Sequence, residues 1–261
     1  MNQTRKLLDE LVSGKITVEE AEKQLKLSFL DDVSGLAMID ANRGTRSGIP
    51  EIVFGESKDA SDIIQIVHRM LNTQNAALIT RLDQEKLDVL ESKLKEKNIE
   101  VFGKTPLLSV IVSNKDWSAQ ETSGRIAVIT AGTSDIPYAK EAEALAKLVG
   151  VDVLSFYDVG VSGIHRLIGP IKEIVEKDVD ALIVFAGMEG ALPTVVAALV
   201  DIPVIGVPVP TGYGFGGKGE TALASMLQSC SPGLAVVNIG NGLGAASVAS
   251  LIAIRAAKNR P

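Results

Sequence analysis

The sequence predicts an α/β protein: a three-layer αβα arrangement around a parallel sheet, preceded by a smaller α+β domain. Residues 124–246 contain five short apolar runs, RIAVIT, DVLSFYDVG, ALIVFAG, VIGVPVP and LAVVNIG. Each starts roughly 24 to 31 residues after the last, room for a strand and its crossover helix. The runs are too short for helices and too continuously apolar for half-solvated strands, which is how parallel strands read when helices cover both faces. The loops after them, TAGTSD, GVSGIHR, AGMEG and TGYGFGG, are rich in small and polar residues. Such loops fall at the carboxyl ends of the strands, where open α/β sheets hold ligands.

The elements follow in order. Residues 4–13 form an amphipathic helix closed by Gly14, and Thr17 with Glu20 makes a capping box for a second helix to about Leu27. From 31 to 55 the pattern loosens around Gly44, Gly48 and Pro50. EIVF, AALITRL and LLSVIVS read as strands, and 59–71 and 84–97 have helical periodicity. SAQETSG is the linker, which divides the chain into an N-terminal domain over 1–120 and a second domain over 121–261. In the second domain a helix capped by Ser134 or Asp135 runs to Val149, and further helices cover 162–177, 190–200, 219–229 and 242–257.

Composition narrows the function classes. A net charge of −6, one Trp, three Tyr and six Phe give neither the basic footprint nor the stacking platform of a nucleic-acid binder. Residues 221–254 lack any charged side chain, but Gln228, Pro232, Asn238, Asn241 and several glycines break them up, so no membrane span is expected. The second domain is also the poorer in charge, which predicts surface hidden in a homo-oligomer. The N-terminus lacks the apolar segment of a secretory signal, and the single Cys230 excludes an internal disulfide framework; a cytoplasmic protein is expected.

Several residues could carry chemistry. Gly212, Gly214 and Gly216 in GYGFGGKGE, and Gly132, Thr133 and Ser134 in TAGTSD, could turn backbone N–H groups towards a phosphate or carboxylate. Tight turns without a ligand are the alternative. Glu189, flanked by Gly187 and Gly190, follows an apolar strand; it is either a general base or a carboxylate favoured by a helix start. His165, among glycines past a strand end, is an acid–base candidate or a surface histidine. Cys230 is a nucleophile or a small buried hydrophobe, and its place at a helix C-terminus disfavours the thiolate. Asp40, Arg43 and Arg46 recur at three-residue intervals, as in a salt-bridged surface or a grip on a phosphoryl group with a divalent cation.

Six strings then carry a family resemblance: DANRGTRSGIPEIVFG (40–55), GRIAVITAGTSDIP (124–137), YDVGVSGIHR (157–166), VFAGMEGALP (184–193), GYGFGG (212–217) and SMLQSCSPGLAVVNIGNGLGAA (225–246). Residues 124–246 resemble the domain shared by AIR carboxylases, the N5-carboxyaminoimidazole ribonucleotide mutases of purine synthesis, and so imply a flavodoxin-like sheet. Beyond about residue 30, nearly the whole chain resembles the LarB-type family. That resemblance implies carboxylation of the pyridinium ring of nicotinic acid adenine dinucleotide with CO2 or bicarbonate. Hydrolysis of the phosphoanhydride would follow, giving pyridinium-3,5-biscarboxylic acid mononucleotide and AMP on the route to the nickel-pincer nucleotide of lactate racemase-like enzymes. By the same resemblance Cys230 is the nucleophile, Glu189 moves a proton beside it, Ser134 and Asp135 lie near the carboxylated ring, and Asp40 lies near a phosphate-bound Mg2+. His165 is placed less closely. The purine enzymes form octamers. One departure stands out, since Gly240 replaces the acid expected in NIDNG. An AIR carboxylase or mutase and a non-catalytic nucleotide-binding protein are the alternatives.

Overall fold

The computed structural model describes residues 3–27, 31–33, 37–40, 43–258 and 260. Two helices open the chain, α1 (Gln3–Val12) and α2 (Val18–Leu27). The second is capped as its sequence requires: the Thr17 N–H donates to Glu20 Oε2 at 2.9 Å, and the Glu20 N–H donates to Thr17 Oγ1 at 3.1 Å. A small antiparallel hairpin, β1 (Asp31–Val33) and β2 (Ala37–Ile39), and a short helix, α3 (Arg43–Ser47), occupy the loosely patterned region.

A four-stranded sheet follows, built from β3 (Ile52–Phe54), β4 (Ala76–Leu82), β5 (Asn98–Phe102) and β6 (Leu108–Ser113) in the order β3-β4-β6-β5. Helices α4 (Ala60–Gln74) and α5 (Gln84–Lys93) pack on it through Ile63, Val67, Met70, Leu87 and Leu90, all buried against Ile79, Val110 and Val112. The expected helix over 84–97 is too long. It stops at Lys93 and the chain re-enters the sheet at Asn98, as an edge strand whose side chains are mostly exposed and so give no apolar run.

The second sheet consists of β7 (Arg125–Thr130), β8 (Asp152–Phe156), β9 (Ala181–Ala186), β10 (Val204–Pro208) and β11 (Leu234–Val236). All its pairings are parallel and the order is β11-β10-β9-β7-β8. Alternate residues feed two cores, as strands covered on both faces require. Ile126, Val128, Ile183, Phe185 and Ile205 meet α6 (Ile136–Leu148) and α10 (Gly242–Ala257). On the other face Ile129, Leu182 and Val184 meet α7 (Ile168–Glu176), α8 (Leu192–Ala197) and α9 (Glu220–Leu227). The helix expected over 162–177 is interrupted: a 3-10 segment, Val161–Leu167, precedes α7 because Gly163 leaves the helical region at φ −136°, ψ 58°.

Helices α6 and α10 owe their alanine content to their position. They lie between the two sheets, and their cluster takes in Leu78 and Ile111 from the N-terminal sheet together with Ile49. Gly124 marks one close approach, since a Cβ there would lie 2.8 Å from the Ala253 carbonyl carbon. No helix among the described residues is long and apolar enough to cross a membrane.

Candidate active site

Reading β7 to β11 as strands one to five gives the order 2-1-3-4-5, whose direction of winding reverses between β7 and β9. At that reversal the loops leaving the two strands diverge and open a crevice at their carboxyl ends. A cavity of about 410 Å3 lies there. Its walls are the loops after β7 (Gly132, Ser134, Asp135), β8 (Gly160, Ser162), β9 (Gly187, Glu189) and β10 (Thr211, Tyr213).

Asp135 ties these loops together. One carboxylate oxygen accepts the Gly132 N–H at 2.8 Å, closing the turn after β7, and the other accepts the Thr211 hydroxyl at 2.5 Å. The side chain is buried, and desolvation raises its pKa above the ordinary carboxylate value, opposed by the bonds from Thr211 and Gly132. The Gly187 loop reaches the same point. A Cβ on Gly187 would lie 2.1 Å from the Thr211 carbonyl oxygen, so only glycine lets the two backbones meet. Met188 then takes a left-handed φ of 49°, and the Gly190 N–H bonds to the Gly187 carbonyl at 2.8 Å, so Glu189 sits on the tip of a strained turn at the cavity edge.

The remaining residues singled out from the sequence fall elsewhere. Gly190, Gly212, Gly214, Gly216 and Thr133 flank the cavity loops without lining it. His165 is exposed on the 3-10 segment, where its neighbour Arg166 pairs with Asp158 at 2.7 Å, and it does not line the cavity. Cys230 is exposed at the apex of a turn clamped to α8. The Thr194 hydroxyl donates to Ser229 Oγ at 2.9 Å, and the Ser231 hydroxyl donates to the Thr194 carbonyl at 3.0 Å. Three residues on, the Gly233 carbonyl accepts from the first N–H of β10, so Cys230 lies towards the amino ends of the strands. Glu189 lines the cavity and Cys230 does not.

Asp40, Arg43 and Arg46 lie on the N-terminal domain. Arg46 pairs with Asp40, and Arg43 pairs with Glu51 at 3.2 Å; Ala41 and Asn42 of the same string are outside the described residues. Asp40 Oδ1 is buried without a hydrogen-bond partner among the described residues, which fits a cation that draws its other ligands from substrate phosphates and water. No cluster of three or more metal-ligating side chains occurs among the described residues.

Two features escaped sequence reasoning. Thr211 is one, an unmarked threonine whose importance rests on its bond to Asp135. The other is Arg81. At Thr80–Arg81 the β4–β6 register shifts, and Arg81 adopts φ 57°. This bulge turns its side chain towards the second sheet. There it donates to Glu141 Oε1 at 3.2 Å and to the Gly240 carbonyl at 2.7 Å, with the Phe54 ring 5.2 Å away. Burial raises the pKa of Glu141, opposed by the Arg81 charge. Tyr138, three residues beyond Asp135 on α6, lies against Gly240 in this cluster.

Comparison with known proteins gives two adjoining matches. Residues 30–108 match a LarB/PurE-like N-terminal domain, and residues 125–260 match AIR carboxylase. An uncharacterized protein of Methanocaldococcus jannaschii is 44% identical over 250 residues, covering 95% of this chain and 96% of that protein. The N5-carboxyaminoimidazole ribonucleotide mutase of Saccharolobus solfataricus is 32% identical over 135 residues, covering 50% of this chain and 79% of that enzyme. The mutase of the same name from M. jannaschii is 35% identical over 116 residues, covering 44% of this chain and 68% of that enzyme.

Proposed function

The chain belongs to the AIR carboxylase family, and from that premise we propose that it carboxylates the pyridinium ring of nicotinic acid adenine dinucleotide and cleaves its phosphoanhydride, releasing AMP. The observation that carries this reading is a pairing within one chain. A LarB/PurE-like N-terminal match precedes an AIR carboxylase domain that bears Cys230, while the mutase relatives cover only about half of the chain.

The chemistry gives each residue a task. A pyridinium ring is electron-poor and does not attack CO2. Addition of the Cys230 thiolate turns it into an enamine-like dihydropyridine whose neighbouring carbon bonds to CO2. Glu189 takes the proton from that carbon, and the C–S bond breaks to return the thiolate and the aromatic ring. Asp135 holds the loops around the ring in register through Gly132 and Thr211. Water attacks the phosphoanhydride, with Arg43 and Arg46 close to its oxygens. Asp40 would hold Mg2+ there, where a divalent cation neutralises phosphoryl charge.

This reading has a structural requirement. Because Cys230 does not line the cavity that Glu189 borders, this reading takes the working cysteine from a neighbouring copy and the enzyme as a homo-oligomer. The exposed Ile164, Ile168 and Leu227 are suitable contact residues. The test is Cys230→Ala: carboxylation is expected to fall on the order of 10² or more. A mass-shifted adduct seen when the intact wild-type protein is incubated with substrate is expected to vanish. A folded variant that carboxylates at the wild-type rate refutes the mechanism.

The second reading is an aminoimidazole ribonucleotide carboxylase or mutase. It is favoured by the named relatives over the cavity-bearing half of the chain, and it leaves Cys230 and the N-terminal domain without a task.

A further inference from the structure

Among the described residues, the two most exposed aromatic side chains stand on the loop that borders the cavity. Tyr213 is 82% exposed and Phe215 is 107% exposed. The other aromatics among the described residues are employed differently: Phe185 is buried in the core, Trp117, Tyr138 and Phe156 pack against the cores, Phe54 lies under Arg81, and Tyr157 and Phe102 lie beside Lys140 and Lys147. Rings of this size ordinarily bury large apolar areas, so two bare rings on one short loop call for an occupant.

The loop is fastened at both ends. Before the rings, Thr211 is bonded to Asp135 at 2.5 Å, and its carbonyl accepts the Met188 N–H at 3.4 Å. After them, the chain passes so close to Thr221 that a Cβ on Gly216 would lie 1.6 Å from its hydroxyl, and the Gly219 N–H bonds to the Gly216 carbonyl at 3.2 Å. Between the anchors Gly214 takes φ 77° and makes the turn. Tyr213 lines the cavity, and Phe215 stands two residues further along the same anchored loop.

The cavity offers the hydroxyls of Ser134 and Ser162 to phosphate and sugar oxygens, and the carboxylates of Asp135 and Glu189 to hydroxyls or a cationic ring. A ligand seated there by its polar part would carry a flat ring towards the mouth, where an aromatic face is the fitting surface. A positively charged ring gains further from the face of a tyrosine.

We propose that Tyr213 and Phe215 form a stacking subsite for a planar heterocycle of a nucleotide seated in this cavity. The inference rests on the functional reading above, in that it takes the ligand to be a nucleotide. The shared chemistry is a flat ring, which the dinucleotide offers twice, as pyridinium and as adenine.

The experiment titrates nicotinic acid mononucleotide, AMP and ribose 5-phosphate into the full chain and into Tyr213→Ala, Phe215→Ala and Phe215→Trp, with light scattering in parallel. Each alanine variant is expected to lose roughly ten-fold or more in affinity for one nucleotide, and the nucleotide affected identifies the ring. Affinity for ribose 5-phosphate and the assembly mass stay constant. Phe215→Trp keeps its affinity, and nucleotide quenches its fluorescence. Unchanged nucleotide affinity in both alanine variants overturns the subsite and leaves the functional reading intact, as does an equal loss for ribose 5-phosphate. A fall in assembly mass overturns it too, because the rings then cover a second copy. A wild-type chain that binds neither nucleotide overturns the functional reading and the subsite with it.

Discussion

The Arg81 guanidinium donates to the Gly240 carbonyl at 2.7 Å, joining residues 159 positions apart and fixing the N-terminal sheet to the loop that opens α10. The same guanidinium faces the buried carboxylate of Glu141. Arg81→Met removes one partner of that pair and is expected to cost about 3 kcal/mol, the low end for a buried pair, since Arg81 keeps partial solvent access. Adding Glu141→Leu should recover most of that loss. Urea unfolding of the two variants checks both values, and a single-variant loss near zero would remove Arg81 as the link between the sheets.

Gly240 stands where the sequence resemblance leads us to expect an acid, and its backbone suits a glycine. Its φ is 66°, and a Cβ there would lie 3.2 Å from Tyr138 and 3.9 Å from Arg81 Nη2. Gly240→Ala should therefore lower stability by roughly 1–2 kcal/mol. Gly240→Asp should lower it less, because aspartate tolerates this region and its carboxylate would come within reach of Arg81. Thermal unfolding should rank the three chains glycine, aspartate, alanine; alanine equal to glycine would contradict this account.

Thr211→Val keeps the shape of the side chain but leaves one oxygen of the buried Asp135 without its donor. Stability should fall by about 1–3 kcal/mol, the cost of an unsatisfied buried acceptor. Carboxylation should weaken as well, because the loops after β7, β9 and β10 meet at this bond. Chemical unfolding and a rate measurement on the same preparation test the two effects together.

The raised pKa of Asp135 has a defined sign in stability. A carboxylate whose pKa is higher in the folded than in the unfolded chain binds more protons when folded. Its stabilising contribution is full below the ordinary value of 3.8 and is lost as pH rises through the folded value. Asp135→Asn does not titrate there. The unfolding free energy of the wild type minus that of Asp135→Asn should therefore shrink as pH is raised from about 3.8 to neutrality. A constant difference across that range would mean that burial does not shift this group.

The parallel sheet was legible because each buried strand is a continuous apolar run, and the Thr17–Glu20 cap because its two partners are three residues apart. The edge strand β5 was hidden by its exposed side chains, and α3 by its shortness. At the site, the backbone irregularities could be read where glycine announces them, as at Gly132 and Gly187. Thr211 and Arg81 could not, because their roles come from contacts 76 and 60 to 159 residues away and from a bulge that no local pattern encodes. Asp135 stands at the N-cap position of α6, but its side chain makes no cap bond to that helix and ties two loops instead, which no local pattern encodes. Cys230 and Glu189 were joined by a family resemblance, and of the two only Glu189 lines the cavity.

The most direct measurement incubates the purified chain with Mg2+, 13C-labelled bicarbonate and either nicotinic acid adenine dinucleotide or aminoimidazole ribonucleotide, and follows the products by mass spectrometry. The proposed function predicts AMP and a pyridinium mononucleotide carrying one extra labelled carboxylate from the first substrate, with no carboxylation of the second. Labelled aminoimidazole product with an untouched dinucleotide would contradict it.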